Sequence, residues 1–241
     1  MSKFFYHFLD TNMVLASILP NDGSFKESSE YFLNIIAEKY FSTSAYEESK
    51  TVISRLRRIS LKILNFIKNY MSKNLINQQN IEKHFNNIRK QFLNTYKQVE
   101  FPENIQKKKF KEIVLDFLNQ NKSIIQDMLL KDDLSLWTKF KRNIITSFKK
   151  MNRELKNFLR NLTCITFIHS GKYIKNLLKI GFHKKDAILV DESYYLSLTK
   201  KNPIAFITFD KGILNLKEEI LEILNEKVYV FSPKEIKNHA K

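Results

Sequence analysis

One cysteine, one tryptophan, four glycines and four prolines are all that 241 residues contain of these types, and each scarcity removes an explanation. A single thiol, Cys164, can neither close an internal disulfide nor build a cysteine-rich zinc site. It suits a reducing cytoplasm, and as a free cysteine it is expected to be inert core. Four glycines leave no room for a glycine-rich phosphate loop, so nucleotide-driven chemistry is not expected. No apolar stretch reaches the ~20 residues a membrane helix requires. The first apolar run stops at Asp10, without the length or small-residue cleavage site of a secretory signal. A cytoplasmic protein without a membrane partner is the expectation. The five histidines are scattered, and no Ser/His/Asp or Cys/His arrangement stands out.

What is present is a globular composition, 43% hydrophobic and 27% charged, with a formal charge of +16. That charge is unevenly distributed. Residues 49–180 hold 28 Lys and Arg against 9 Asp and Glu, whereas the flanking segments hold 13 against 16. An acidic frame thus encloses a basic middle, and a local excess of this size attracts polyanions.

Hydrophobic patterning divides the chain the same way. Phe4 to Leu9 reads as a buried strand stopped by a polar Asp-Thr-Asn turn. A helix begins near Met13 and ends at Pro20-Asn21-Asp22-Gly23. Ser24 with Glu27 forms the capping-box pattern of a second helix, with Tyr31, Phe32, Ile35 and Ile36 as its apolar face. A short strand follows at Tyr40 to Ser42. From about 45 to 180 the pattern is helical, with stripes at Ile53, Leu56, Ile59, Ile63, Phe66, Ile67, Tyr70 and at Phe110, Ile113, Val114, Phe117, Leu118. About five helices are expected there, with corners at Pro102 and Asp132-Asp133. The end of the chain alternates again: a helix from Lys184 to about Thr199, a strand at 204–208, a helix near 214–225, and a strand Val228 to Phe231 stopped by Ser232-Pro233. Strands separated by helices predict a parallel sheet.

Four carboxylates stand where these elements meet: Asp10 ending the first strand, Glu48 opening a helix, Asp186 opening another, and Asp210 ending the 204–208 strand. Acids at the carboxyl ends of buried parallel strands converge in the ligand crevice of an open α/β sheet. Together they repel one another unless a hard cation neutralises them. An all-oxygen donor set suits Mg²⁺ or Mn²⁺ rather than zinc. Glu47 and Glu48 lie about 100° apart on a helix. With Ala45, Ser49, Val52 and Leu56 on the buried face, Glu48 sits at its edge and is the chosen ligand, with Glu47 the alternative.

Leu-Asp-Thr-Asn at 9–12, Ser42 to Glu48, Lys185-Asp186-Ala187-Ile188-Leu189 and Ile207-Thr208-Phe209-Asp210-Lys211 resemble, in order, the successive motifs of the PIN domain family. The resemblance covers roughly 1–50 and 181–241. It implies a three-layer α/β/α domain with a parallel sheet of about four to five strands, interrupted by a large helical insertion at 51–180. It also implies a metal-dependent nuclease, usually acting on RNA, with Asp10, Glu48, Asp186 and Asp210 as metal ligands and catalytic acids. Asn12 and Thr208 would support them. Asp191 stands where the family usually has a small residue, so Asp191 is an alternative or an assistant to Asp186.

In the basic middle, Arg55, Arg57 and Arg58, the run Lys107, Lys108, Lys109, and the pair Lys141 and Arg142 are candidate contacts to an RNA or single-stranded DNA backbone. Trp137, Phe140 and Phe148 could stack on bases but are at core spacing. Two other readings remain open: a catalytically weak PIN-like module that binds RNA or protein, and a toxin ribonuclease masked by an acidic antitoxin. A homodimer is compatible with either.

Overall fold

The apolar runs at the two ends of the chain become strands of one parallel sheet. The computed structural model describes residues 4–19, 23–95, 107–131, 133–160, 162–165 and 171–239, without the side chains of residues 107–109, 164, 165 and 239. In chain order the elements are β1 (Tyr6–Leu9), α1 (Thr11–Ile18), α2 (Phe25–Asn34), β2 (Glu38–Ser42), α3 (Thr43–Met71), α4 (Ile81–Thr95), α5 (Lys107–Gln120), α6 (Lys122–Lys131), α7 (Leu134–Arg160), β3 (Thr163–Ile165), α8 (Ile174–Lys179), α9 (Lys184–Lys200), β4 (Ile204–Ile207), α10 (Lys211–Leu214), α11 (Lys217–Ile223), β5 (Val228–Phe231) and α12 (Pro233–His239). The chain is α/β and divides into two compact units, Met1–Thr51 with Met151–Lys241, and Val52–Lys150.

The first unit holds the sheet, in the order β3-β2-β1-β4-β5 with every pairing parallel. Four of its strands have four or five residues, and β3 at one edge has three. All of β4 is buried, as are the last three residues of β1. Successive residues of a strand point to opposite faces, so these two strands are covered on both. Phe8 stacks on Phe206 across that central pair, and Phe4 packs on Tyr229 and Phe231. Helix α2 packs on α1 and α12, α8 packs on α9 and α11, and α9 lies against β4 and β5. The register Leu9 to Ile207 extends one step further through the Asp10 amide, which donates to the Ile207 carbonyl at 3.0 Å. Strand order reverses between β1 and β4, which is where ligands bind in open α/β sheets.

The second unit is helical among its described residues. Ile53, Ile59, Ile63, Ile67 and Tyr70 are buried, with Leu56 and Phe66 half-buried beside them. Phe110, Val114 and Leu118 do the same for α5. Phe66 meets Phe92 edge-on, and the Tyr70 hydroxyl is 2.8 Å from His84 Nδ1. Trp137, Phe140 and Phe148 are buried, so base stacking is not open to them.

Several expectations need correction. β1 begins at Tyr6 rather than Phe4, α1 at Thr11 rather than Met13, and β2 at Glu38 rather than Tyr40. Ser24 is at the N-cap of α2, but its side chain makes no capping hydrogen bond. That helix ends at Asn34, so Ile36 leaves the apolar face and is 91% exposed. Residues 151–180 group with the sheet unit rather than with the helical insertion, because β3 pairs with β2 there. The helix expected near 214–225 is α11, shorter at Lys217–Ile223, and a separate short helix, α10, precedes it. Ser232-Pro233 does not merely stop β5. It starts α12 with a capping box, in which Ser232 N donates to Glu235 Oε2 and Glu235 N to Ser232 Oγ. Pro20, Pro102 and Asp132 lie outside the described residues, as does the side chain of Cys164, whose backbone belongs to β3. Among the described residues, no helix is long and apolar enough to cross a membrane.

Candidate metal centre

Asp10 ends β1 and caps α1. Leaving a buried strand, the chain turns sharply into a helix, and Oδ1 accepts from the Thr11 amide at 2.6 Å. The residue is only 4% exposed. Oδ2 accepts a 2.5 Å hydrogen bond from Thr208 Oγ1, which stands opposite it one step beyond the end of β4. Thr208 Oγ1 in turn accepts from Asn12 Nδ2 at 3.1 Å and from the Asp210 amide at 2.9 Å. Asn12 Oδ1 accepts from the Phe209 amide at 3.0 Å. Asn12 and Thr208 thus lock the β1 and β4 termini together.

Asp210 caps α10, its Oδ1 accepting from Gly212 N at 2.7 Å and Ile213 N at 3.3 Å. A Cβ on residue 212 would lie 3.0 Å from that oxygen, close enough that the carboxylate would have to shift by a few tenths of an ångström. Asp210 is exposed, unlike Asp10. Asp186 is half-buried in the first turn of α9.

Glu48 lies in the second turn of α3 rather than at its opening, because the helix begins at Thr43. It is half-buried, its Oε2 accepts from Thr11 Oγ1 at 2.9 Å, and its Oε1 is 3.6 Å from Lys185 Nζ. Glu47 is exposed and pairs with Lys50 at 2.9 Å.

Electrostatics ties the four acids together. Burial pushes the Asp10 carboxyl up to about 7; the Thr208 and Thr11 hydrogen bonds oppose this, while the charges of Asp186 and Glu48 add to it. Asp186 is also raised, by burial first and then by Asp210 and Glu48, with His183 and Lys185 pulling the other way. Each acid is therefore close enough to at least one other to repel it. They do not form a closed coordination shell: among the described residues, no three His, Cys, Asp or Glu side chains are gathered so as to hold an ion as they stand. The donor set is nonetheless oxygen-only, which suits a hard divalent cation.

Asp191 is fully buried in α9, with Oδ1 accepting from the Tyr173 amide at 3.3 Å. Its neighbour Glu192, not singled out in the sequence, is the one that reaches α3, accepting from Ser44 Oγ at 2.7 Å one turn before Glu48. Thr11 and Lys185 are two further residues at the site that sequence reasoning passed over. Thr11 had a signal, as the hydroxyl next to an N-cap acid.

The remaining candidates lie in the second unit. Arg57 and Arg58 are exposed on α3 and Arg55 is half-buried; Lys141 is half-buried and Arg142 exposed on α7. Lys107, Lys108 and Lys109 start α5, and their side chains lie outside the described residues. No protein-family model, curated protein or solved structure matches this chain.

Proposed function

We propose that the first unit is a metal-dependent nuclease domain of the PIN type, an endoribonuclease that hydrolyses phosphodiester bonds at Asp10, Glu48, Asp186 and Asp210. The carrying observation is the mutual repulsion of these four carboxylates, drawn from two helices and two strand ends, at the β1/β4 reversal of a parallel sheet. Burial of β1 and β4 on both faces supports the three-layer arrangement the resemblance implies.

Mg²⁺ or Mn²⁺ held by these acids would supply the positive charge that acidifies a water and neutralises the leaving oxygen. The chain's own residues do the positioning. Thr208 and Thr11 fix both oxygens of Asp10, and Thr11 also fixes one oxygen of Glu48, so a single turn sets two ligands. Asn12 holds the Phe209 amide and hence the approach to Asp210. Lys185, beside Glu48, is placed to meet a phosphate oxygen arriving at the acids.

A second reading, an RNA-binding module without cleavage, draws on the unclosed carboxylate geometry. Both are separated by incubating the protein and its Asp10→Asn/Asp210→Asn variant with labelled single-stranded RNA in Mg²⁺, Mn²⁺ or EDTA. Cleavage that needs metal and both aspartates supports the nuclease. Salt-sensitive binding with no cleavage under any condition overturns it in favour of the module.

A further inference from the structure

The chain's single tryptophan sits in the second unit, beneath two lysines. Trp137 on α7 is 8% exposed and anchored by its indole N–H, which donates to the Leu64 carbonyl of α3 at 3.1 Å. Lys68 Nζ from α3 and Lys141 Nζ from α7 each lie 4.8 Å from the centre of its ring. Ring faces attract cations, so one indole gathers two ammonium groups that would otherwise repel. Along α7, Lys139, Arg142 and Lys149 are exposed, and no acid occurs between Leu134 and Lys150. A helix surface made soluble for its own sake mixes signs, because like charges three or four residues apart destabilise it. Residues 52–150 as a whole carry 21 Lys and Arg against 8 Asp and Glu.

We infer that this face of α7, with Lys68, is a binding surface for the phosphate backbone of RNA, and that Trp137 is the platform that presents its two central lysines. Other exposed residues of the face include Ser135, Asn143, Thr146 and Ser147, short hydroxyl and amide groups of the kind that contact phosphate oxygens. Apart from Leu134 at the helix start, the exposed positions up to Lys150 are polar. Beyond Leu134, the described residues of this face offer no apolar anchor for a protein partner and no apolar rim to enter a membrane. With the aromatics buried, recognition is by charge and is indifferent to base sequence. The inference deepens the reading above by naming where the partner is held, and it is tested separately from cleavage.

The full chain in EDTA is titrated with a 20-nucleotide single-stranded RNA between 50 and 200 mM salt, following tryptophan emission and, independently, anisotropy of labelled RNA. Because Trp137 is the only tryptophan, emission reports this face. Expected are a saturable emission change and an affinity that falls steeply with salt. Lys68→Gln/Lys141→Gln should weaken binding roughly tenfold, reduce the log–log salt slope by about 1.4, and abolish the emission change. Lys139→Gln/Arg142→Gln/Lys149→Gln, altering only exposed side chains, should lower the slope by about 2 while the emission change persists at saturation. RNA binding equal to wild type in the triple variant, or RNA binding with unchanged emission in the wild type, overturns the inference. So does an emission response to phosphatidylserine vesicles with none to RNA. Loss of cleavage with these results intact would strike only the nuclease reading.

Discussion

Thr208 Oγ1 and Asp10 Oδ2, 198 positions apart in the chain, are joined by a 2.5 Å hydrogen bond between the ends of adjacent parallel strands. Both residues are buried, and the same hydroxyl oxygen accepts from Asn12 Nδ2 and the Asp210 amide. Thr208→Val keeps the shape but strands all three partners. Leaving buried polar groups unsatisfied costs about 1–3 kcal/mol each, partly relieved here by neighbours, so a loss of about 2–3 kcal/mol is expected in urea unfolding at pH 7. Thr208→Ser, which keeps the hydroxyl, should stay within about 1 kcal/mol of wild type. Equal effects from Val and Ser would mean the methyl group, not the hydroxyl, matters at this position.

Asp10 gives the site a pH signature. Its carboxyl titrates near 7 when folded against 3.8 ordinarily. Below about pH 4 both states are protonated and nothing is lost. Between 4 and 7 the unfolded chain ionises while the folded one keeps its proton, so this contribution to stability declines as pH rises and is gone above the folded value. The full gap corresponds to at most about 4 kcal/mol. Asp10→Asn should therefore match wild type near pH 4 and exceed it by about 2–4 kcal/mol at pH 8. Saturating Mg²⁺ should shrink that advantage by stabilising only wild type. A difference that does not vary with pH would show that Asp10 ionises normally.

The parts of this picture that rest on local pattern were legible in the sequence. Val228 to Phe231 is a strand with the bounds its apolar run predicts, and the helix from Lys184 is one residue longer than expected. Positions set by tertiary partners were not. β3 is only three residues long and pairs with β2, so Thr163-Cys164-Ile165, although partly β-branched, is too short a run for periodicity to separate from a helix end. Asp191 and Glu192 look alike in the chain, yet one turns toward Tyr173 and the other toward Ser44, which depends on helices the sequence does not place. The pairing of Thr208 with Asp10 follows from strand register, which needs the sheet order first.

Glu47 and Glu48 offer a test between adjacent acids. Glu48 is half-buried and adds to the repulsion on Asp10 and Asp186, whereas Glu47 is exposed and paired with Lys50. Glu48→Gln should weaken Mn²⁺ binding, followed calorimetrically, by tenfold or more. Glu47→Gln should leave it within about twofold, as expected of an exposed ion pair. Lys185→Met, removing the ammonium 3.6 Å from Glu48, should tighten Mn²⁺ binding several-fold, with an effect that fades at high salt. The reverse ranking of the two glutamates would move the ligand to position 47.

His7 supplies an opposing titration three residues before Asp10. Its imidazole is buried, stacked on Tyr31, and its Nδ1 is 2.7 Å from the Tyr31 hydroxyl. Burial, helped by the charge of Lys39, lowers its pKa from 6.5 to about 4. Burial also holds Tyr31 well above its ordinary value, so the phenol keeps its proton and can donate to a neutral ring. On acidification the unfolded chain takes up a proton at 6.5 that the folded one refuses until about 4, so stability falls through that window by about 3 kcal/mol. Asp10 acts in nearly the same window with the opposite sign, and wild type should show little net slope from the pair. In Asp10→Asn the histidine stands exposed as the source: stability should drop by about 3 kcal/mol between pH 6.5 and 4, while the His7 ring resonance in NMR shifts only near pH 4. A His7 resonance titrating at 6.5 would remove the cause, and a flat profile in Asp10→Asn would remove the effect.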